Sequence, residues 1–264
     1  MPDIITDSQL IEQFAKKAME EPKPVVETVA PSDAVVILPG GLIEPNGEVV
    51  TTAEVQELTG NDEELIAKAG SSGKALNILL QRGLVKIGSR QATKEDLDNL
   101  LSGDRDAILI GVRRATFGRT IDVQIRCSHC ASDQEVSIDL IDDIPIKSLE
   151  DPIRDRTWEI KSNRSVIKVA LPTGVVHKKL IENSDKTIAE INTMLLSGCV
   201  LSVDGSPSSG ASTVLALGMG TRNKIVREII DRNPGPRLGE VKKVCQACGE
   251  DVELPLGLTD LFLV

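Results

Sequence analysis

The chain has 264 residues, 41% hydrophobic and 27% charged, a balance that excludes wholesale disorder and leaves room for one large or two smaller domains. One Trp, three Phe and no Tyr make aromatics 2% of the sequence, so the core must be aliphatic and stacking platforms for single-stranded nucleic acid are lacking. The net charge of −10 disfavours nonspecific attraction to phosphate backbones and anionic membranes.

The charge is uneven: residues 1–155 carry 16 basic and 28 acidic side chains, residues 156–264 carry 14 and 12, so a local basic patch in the second half stays open. The start, Met1-Pro2-Asp3-Ile4, is acidic and lacks the apolar run of a signal peptide, and no stretch approaches the length of a membrane span. The expected location is the cytosol.

In chain order, residues 8–21 read as a short helix with Leu10, Ile11, Phe14 and Ala18 on one face, stopped by Pro22 and Pro24. With the linker that follows it forms an acidic N-terminal region, residues 1–33, whose position favours a mobile tail over a partner-binding helix. Residues 35–38 read as a strand closed by Pro39-Gly40-Gly41, and Pro45-Asn46-Gly47 as the turn of a hairpin. Helices are expected over 61–69, 73–81, 93–101 and 104–116, with a brief strand at 85–87. Alternating segments at 120–126 and 134–140 lead into and out of a first Cys-x-x-Cys. Residues 141–156, with Pro145 and Pro152, read as a junction. Strands at 158–161 and 166–171 follow, then helices at 174–182, 187–196 and 222–231, with a loop at 206–210.

The two parts of the chain resemble each other. Asn77 to Val85 aligns with Asn192 to Val200 at an offset of 115. Leu100, Gly103, Arg105 and Ile108 align with Leu217, Gly220, Arg222 and Ile225 at 117, and Cys127 and Cys130 with Cys245 and Cys248 at 118. Upstream, Leu38-Pro39-Gly40-Gly41 parallels Leu171-Pro172-Thr173-Gly174 at 133, which implies extra residues in the first half, assigned to its hairpin. The expected fold class is therefore α+β, two related α/β repeats over residues 34–150 and 151–264.

The cysteines carry the sharpest chemical signal. Cys127-Ser128-His129-Cys130 and Cys245-Gln246-Ala247-Cys248 each place two thiolates within reach of one ion, and two such knuckles supply the four sulfurs of a tetrahedral structural zinc site. Each knuckle is flanked by strands, the arrangement of a zinc ribbon. The 114 residues between Cys130 and Cys245 are too many for a compact ribbon, but the repeat accounts for them if each half donates one knuckle. The expected ligands are Cys127, Cys130, Cys245 and Cys248. Two disulfides are disfavoured by a cytosolic location, and neither pair sits at a βα redox junction. His129 is redundant beside four cysteines, His177 is expected on a solvated helix, and Cys199 reads as a small core residue.

Other motifs are weaker. Gly70-Ser71-Ser72-Gly73-Lys74-Ala75 lacks the first glycine and the hydroxyl of a phosphate loop, and no nucleophile elbow occurs. Arg113, Arg114, Arg119, Arg222, Lys224, Arg227, Arg232, Arg237, Lys242 and Lys243 could form a basic face, but an ordinary helix exterior explains them better. Asp104 can cap a helix, and Arg105 can pair with a carboxylate of the other half, mirrored by Arg222.

The order of Val36-Ile37-Leu38-Pro39-Gly40-Gly41, Val55-Gln56-Glu57-Leu58-Thr59-Gly60, Leu101-Ser102-Gly103-Asp104-Arg105-Asp106, Arg114-Ala115-Thr116-Phe117-Gly118 and Cys-x-x-Cys resembles the T-even-type phage baseplate proteins known as baseplate hub assembly proteins or chaperones. The similarity is best over residues 34–140. It implies a non-catalytic part in building a contractile tail baseplate, with other baseplate or tail proteins as partners, the host cytoplasm as the place of assembly, and zinc as structural reinforcement. A zinc-ribbon nucleic-acid-binding or transcription-related protein is the alternative.

Overall fold

A computed structural model describes residues 34–162, 165–254 and 256–262. The expected N-terminal helix and Phe14 lie outside these residues.

Two β-strands, β1 (Val35–Ile43) and β2 (Val49–Val55), form the opening hairpin. Its turn is closed by the Gly47 N–H donating to the Glu44 carbonyl at 2.8 Å, with Gly47 at φ +85°. β1 does not stop at Pro39-Gly40-Gly41. It runs through them, and a register shift between Ile37 and Leu42 absorbs the irregular residues. An edge position makes this tolerable, since Pro39 has no N–H to offer a neighbour.

Helix α1 (Gly60–Ala67) starts from a Thr59/Asp62 capping box, and α2 (Ser72–Gly83) from the Ser71 hydroxyl. β3 (Leu84–Ile87) and β4 (Arg90–Gln91) complete an antiparallel sheet ordered β1-β2-β3-β4. A second capping box, Thr93 with Asp96, opens α3 (Lys94–Asn99), and α4 (Ser102–Phe117) crosses the sheet. Leu80, Ile87, Leu100, Ile108 and Val112 meet beneath it in an aliphatic cluster, each contributing about 1.5–3 kcal/mol by burial. Hairpin β5 (Thr120–Arg126) and β6 (Asp133–Asp139) then carries the first cysteine pair.

After β7 (Ile146–Lys147) the same order recurs. β8 (Thr157–Lys161) and β9 (Val166–Ala170) are followed by α5 (Gly174–Glu182), α6 (Ile188–Cys199), β10 (Val200–Val203), β11 (Ser206–Pro207), α7 (Ala211–Ala216) and α8 (Met219–Arg232). The second sheet is ordered β8-β9-β10-β11, as the first is β1-β2-β3-β4. A short β12 (Gly235–Pro236) pairs with β7, and β13 (Lys242–Val244) with β14 (Asp251–Glu253) flanks the second cysteine pair. Ile167, Val169, Leu196, Cys199, Ile225 and Ile229 form a second aliphatic cluster. A third cluster, drawn from both halves, lies beneath the two cysteine hairpins and includes Ile110, Ile138, Val241, Val252 and Leu261.

Val55 and Ala170 end β2 and β9, 115 residues apart, the offset already seen at Asn77 and Asn192. The match of Leu38-Pro39-Gly40-Gly41 with Leu171-Pro172-Thr173-Gly174 does not join equivalent elements. The first lies inside β1, the second between β9 and α5. The first-half hairpin is no insertion either, because β8 and β9 form its counterpart. Both segments are tight because something packs on them, and shared composition made them look homologous.

α4 and α5 hold most of the contact between the halves. The Ser102 N–H donates to the Pro172 carbonyl at 2.9 Å and the Gly174 N–H to the Leu100 carbonyl at 2.7 Å, with Leu101 and Thr173 bridged antiparallel. A Cβ on Gly103 would fall 1.6 Å from the Pro234 carbonyl oxygen, and one on Gly174 1.9 Å from that of Leu97.

Candidate metal centre

The two knuckles are built alike. Arg126 and Asp133 are the last pair of the β5–β6 ladder, and Val244 and Asp251 the last pair of β13–β14, so each ladder closes around six residues. In the first, the Cys127 N–H donates to the Ser132 carbonyl at 2.9 Å and the Ala131 N–H to the Cys127 carbonyl at 3.0 Å. In the second, Cys245 donates to Glu250 and Gly249 to Cys245, both at 2.8 Å. The chain reverses through a left-handed residue at the same place in each, Ala131 at φ +58° and Gly249 at φ +78°. Only the second knuckle uses the residue that adopts this conformation without penalty.

Both turns aim their sulfurs at one point. Cys127 Sγ lies 3.7 Å from Cys248 Sγ, and Cys130 Sγ 3.7 Å from Cys245 Sγ. All four lie within 4.8 Å of one another. Sulfurs bonded as a disulfide would be about 2.05 Å apart. A tetrahedral ion with metal–sulfur bonds of about 2.3 Å sets its ligands about 3.8 Å apart, so the donor set and its spacing fit a metal of the zinc type. Each pair of close sulfurs joins one half to the other.

The surroundings favour thiolate. The His129 N–H donates to Cys127 Sγ at 3.3 Å. Backbone N–H groups of Cys248 and Ala247 pull the Cys245 thiol down to about 5. Hydrogen bonds from Ser132 lower Cys130 as well. Cys248 goes the other way: the Glu250 N–H opposes the rise, but burial and the three neighbouring sulfurs push it up to about 12. Four sulfurs this close cannot all ionise unless a cation sits among them. Ser132 Oγ, 3.1 Å from Cys130 Sγ and 3.7 Å from Cys245 Sγ, and Gln134 Oε1, accepting the Gln246 N–H at 3.0 Å, tie one knuckle to the other. Sequence reading missed both residues, since nothing local distinguishes a Ser or Gln that faces a partner 113 or 112 residues away. His129 lies outside the sulfur cluster. Cys199 is fully buried among aliphatic side chains, which push its thiol up to about 12.

A second polar cluster lies at the contact between the halves, and it corrects three expectations. His177 is buried, not solvated. Its Nδ1 accepts from Arg105 Nε at 3.1 Å, and its Nε2 faces Asp106 Oδ1 at 3.3 Å. Arg105 therefore reaches across to an imidazole and not to a carboxylate, and also donates to the Leu97 carbonyl and Asn77 Oδ1, both at 2.7 Å. Asp104 does not cap α4. Its Oδ1 accepts the Gly40 N–H at 2.7 Å and the Gly41 N–H at 3.3 Å, supporting the irregular part of β1. Burial raises the Asp104 carboxyl to about 6, against the pull of those N–H groups and of Arg156.

The basic residues of the suspected face are mostly engaged. Arg119 pairs with Asp139 and Asp142, Lys242 with Glu253, Lys243 with Asp143 and Arg232 with Glu228. Arg113 is buried, donates to the Leu261 carbonyl and stacks over Phe117, while Arg237 donates to three backbone carbonyls. No helix among the described residues is long and apolar enough to cross a membrane.

The family described as T4 bacteriophage base plate protein matches residues 50–263, and the chain belongs to that family. No curated protein and no solved structure matches it significantly.

Proposed function

From this membership we propose that the protein is a non-enzymatic assembly protein, a chaperone or minor structural subunit, for the baseplate of a contractile phage tail. It works in the bacterial host cytoplasm and binds other baseplate or tail proteins. The observation that carries the reading is the family match over residues 50–263. The many ion-paired basic residues favour it over the nucleic-acid-binding alternative.

Cys127, Cys130, Cys245 and Cys248 would hold one structural Zn²⁺. The ion would supply a four-sulfur cross-link and no reaction. The shared order of strands and helices from each half's opening hairpin to its last helix, each half then carrying a cysteine hairpin, supports an origin by duplication, with one knuckle from each copy forming a split zinc ribbon. In a chain with so few large rings, such a clasp compensates for the area that aromatic side chains would bury.

Deletion of the gene from its phage tests the reading. Lysates should contain heads and unattached parts but no tails with finished baseplates under the electron microscope. Normal contractile particles would overturn it. Sequence-selective retention of DNA at physiological salt by the purified protein would point to the alternative.

A further inference from the structure

The contact between the halves uses a corner and a seat. The corner is the α3–α4 junction, where Leu100 and Leu101 are 0% and 1% exposed and Gly103 lies against the Pro234 carbonyl. The seat is the loop entering α5, with the 233–235 turn beside it.

Each half contains both parts, but only one of each is used. The second corner, at the α7–α8 junction, is in the open. Leu215 is 60% and Met219 79% exposed, and among the described residues a Cβ on Gly218 or Gly220 would meet nothing within 4 Å. Ile188, at the adjoining start of α6, is 81% exposed. From Gly205 to Thr221 this segment holds no charged residue. The first seat is open too: among the described residues a Cβ on Gly60, the counterpart of Gly174, would also meet nothing, and Leu65 and Phe117 beside it are 46% and 48% exposed. The parts of this seat adjoin, since the Leu58 N–H donates to Thr116 Oγ1 at 3.2 Å.

We propose that the free corner of one molecule docks on the free seat of a second copy of this chain, repeating head to tail the contact that already joins the two halves. The charges agree. Arg222 holds the place in the open corner that Arg105 holds in the closed one, and like Arg105 it is steadied by local oxygens, Thr193 Oγ1 at 2.7 Å and the Ala189 carbonyl at 3.4 Å. Arg105 faces His177, the fourth residue after the Thr173 cap. The fourth residue after the Thr59 cap is Glu63, beside Asp62 and Glu64. Arg222 would therefore meet a carboxylate. A contact between unlike surfaces closes into a ring or extends as a filament, according to the rotation it imposes.

The test is the mass of the full-length protein in solution, followed by sedimentation into the millimolar range. Wild-type protein should exceed the mass of one chain as concentration rises. Arg222→Glu and Glu63→Arg should each remain single chains with unchanged circular dichroism. Mixed in equal amounts they should associate again as wild type does, because the reversed corner of one fits the reversed seat of the other and the unaltered corner of the second fits the unaltered seat of the first. Should a reversal unfold the protein, Met219→Asp replaces the first and Leu65→Asp the second, with loss of association as the readout. A wild-type protein that stays a single chain throughout overturns the proposal. So does a folded corner or seat variant that associates like wild type.

Discussion

Arg105 Nε donates to His177 Nδ1 at 3.1 Å, joining residues 72 positions apart in the two halves. The bond sets the imidazole tautomer. With Nδ1 accepting, the proton of the neutral ring sits on Nε2 and faces Asp106. Burial and the adjacent guanidinium hold His177 at about 3, so it is neutral in the folded protein at every ordinary pH.

The linkage follows. The unfolded chain binds a proton at His177 near pH 6.5 and the folded chain does not until about 3, so this group removes stability as pH falls between those values. Asp104 and Asp106, raised by burial to about 6 and about 7, act in the opposite sense, adding stability as pH falls through those values. The difference between His177→Gln and wild type isolates the first contribution. Unfolding free energies from urea titrations between pH 7.5 and 4 should fall more steeply in wild type, by on the order of 3 kcal/mol across the range. Parallel profiles would show that His177 does not titrate differently on folding.

Metal content and protection should respond together. Protein purified without chelators should contain one zinc per chain, and less than about half an equivalent would count against a shared site. Cys127→Ser and Cys245→Ser should lose the metal equally and raise hydrogen exchange comparably around both knuckles, because each knuckle contributes to both close sulfur pairs. Faster exchange confined to the mutated knuckle would mean two independent hairpins.

Two glycines at matching positions should behave in opposite ways. Gly103→Ala drives a methyl into the Pro234 carbonyl, at 1.6 Å, and should cost roughly 3 kcal/mol or more by forcing the halves apart. Gly220→Ala meets nothing and lies in the first turn of α8, so in dilute solution it should leave stability unchanged or raise it by about 0.5–1 kcal/mol. Thermal melts of the two variants decide this directly.

The turn residues of the knuckles supply another opposed pair. Gly249→Ala places a Cβ in the left-handed region and should destabilise by about 1 kcal/mol. Ala131→Gly relieves the same strain in the other knuckle and should stabilise by a similar amount, less what the freer unfolded chain takes back. Equal effects of one sign would mean that the two turns are not alike.

Much of this was legible in the chain itself, for local reasons. The helices expected to begin at 93 and 187 do so, each opened by a capping box, Thr93 with Asp96 and Thr187 with Glu190, that needs only residues three positions apart. Helix α5 spans Gly174–Glu182 as its pattern predicts, and β5 and β6 alternate as hairpin strands must. The cysteine quartet was legible in part: each Cys-x-x-Cys turn sets two sulfurs side by side by its own short-range geometry, and the fold then brings the two pairs within 4.8 Å of one another.

What only the tertiary structure decided are the pairings across long separations. His177 stands among valines and lysines that suggest a solvated helix, yet Arg105 and Asp106 of the other half bury it. Asp104 looks like a helix cap, yet two backbone N–H groups 63 and 64 residues earlier claim it, because an irregular strand leaves buried donors that must be satisfied. Leu101 and Met219 occupy related corners, but one is buried and the other exposed, since a seat lies within reach of only the first. Sequence specifies the parts and their local geometry. Which part faces which is set by packing between the halves, and no local pattern records that choice.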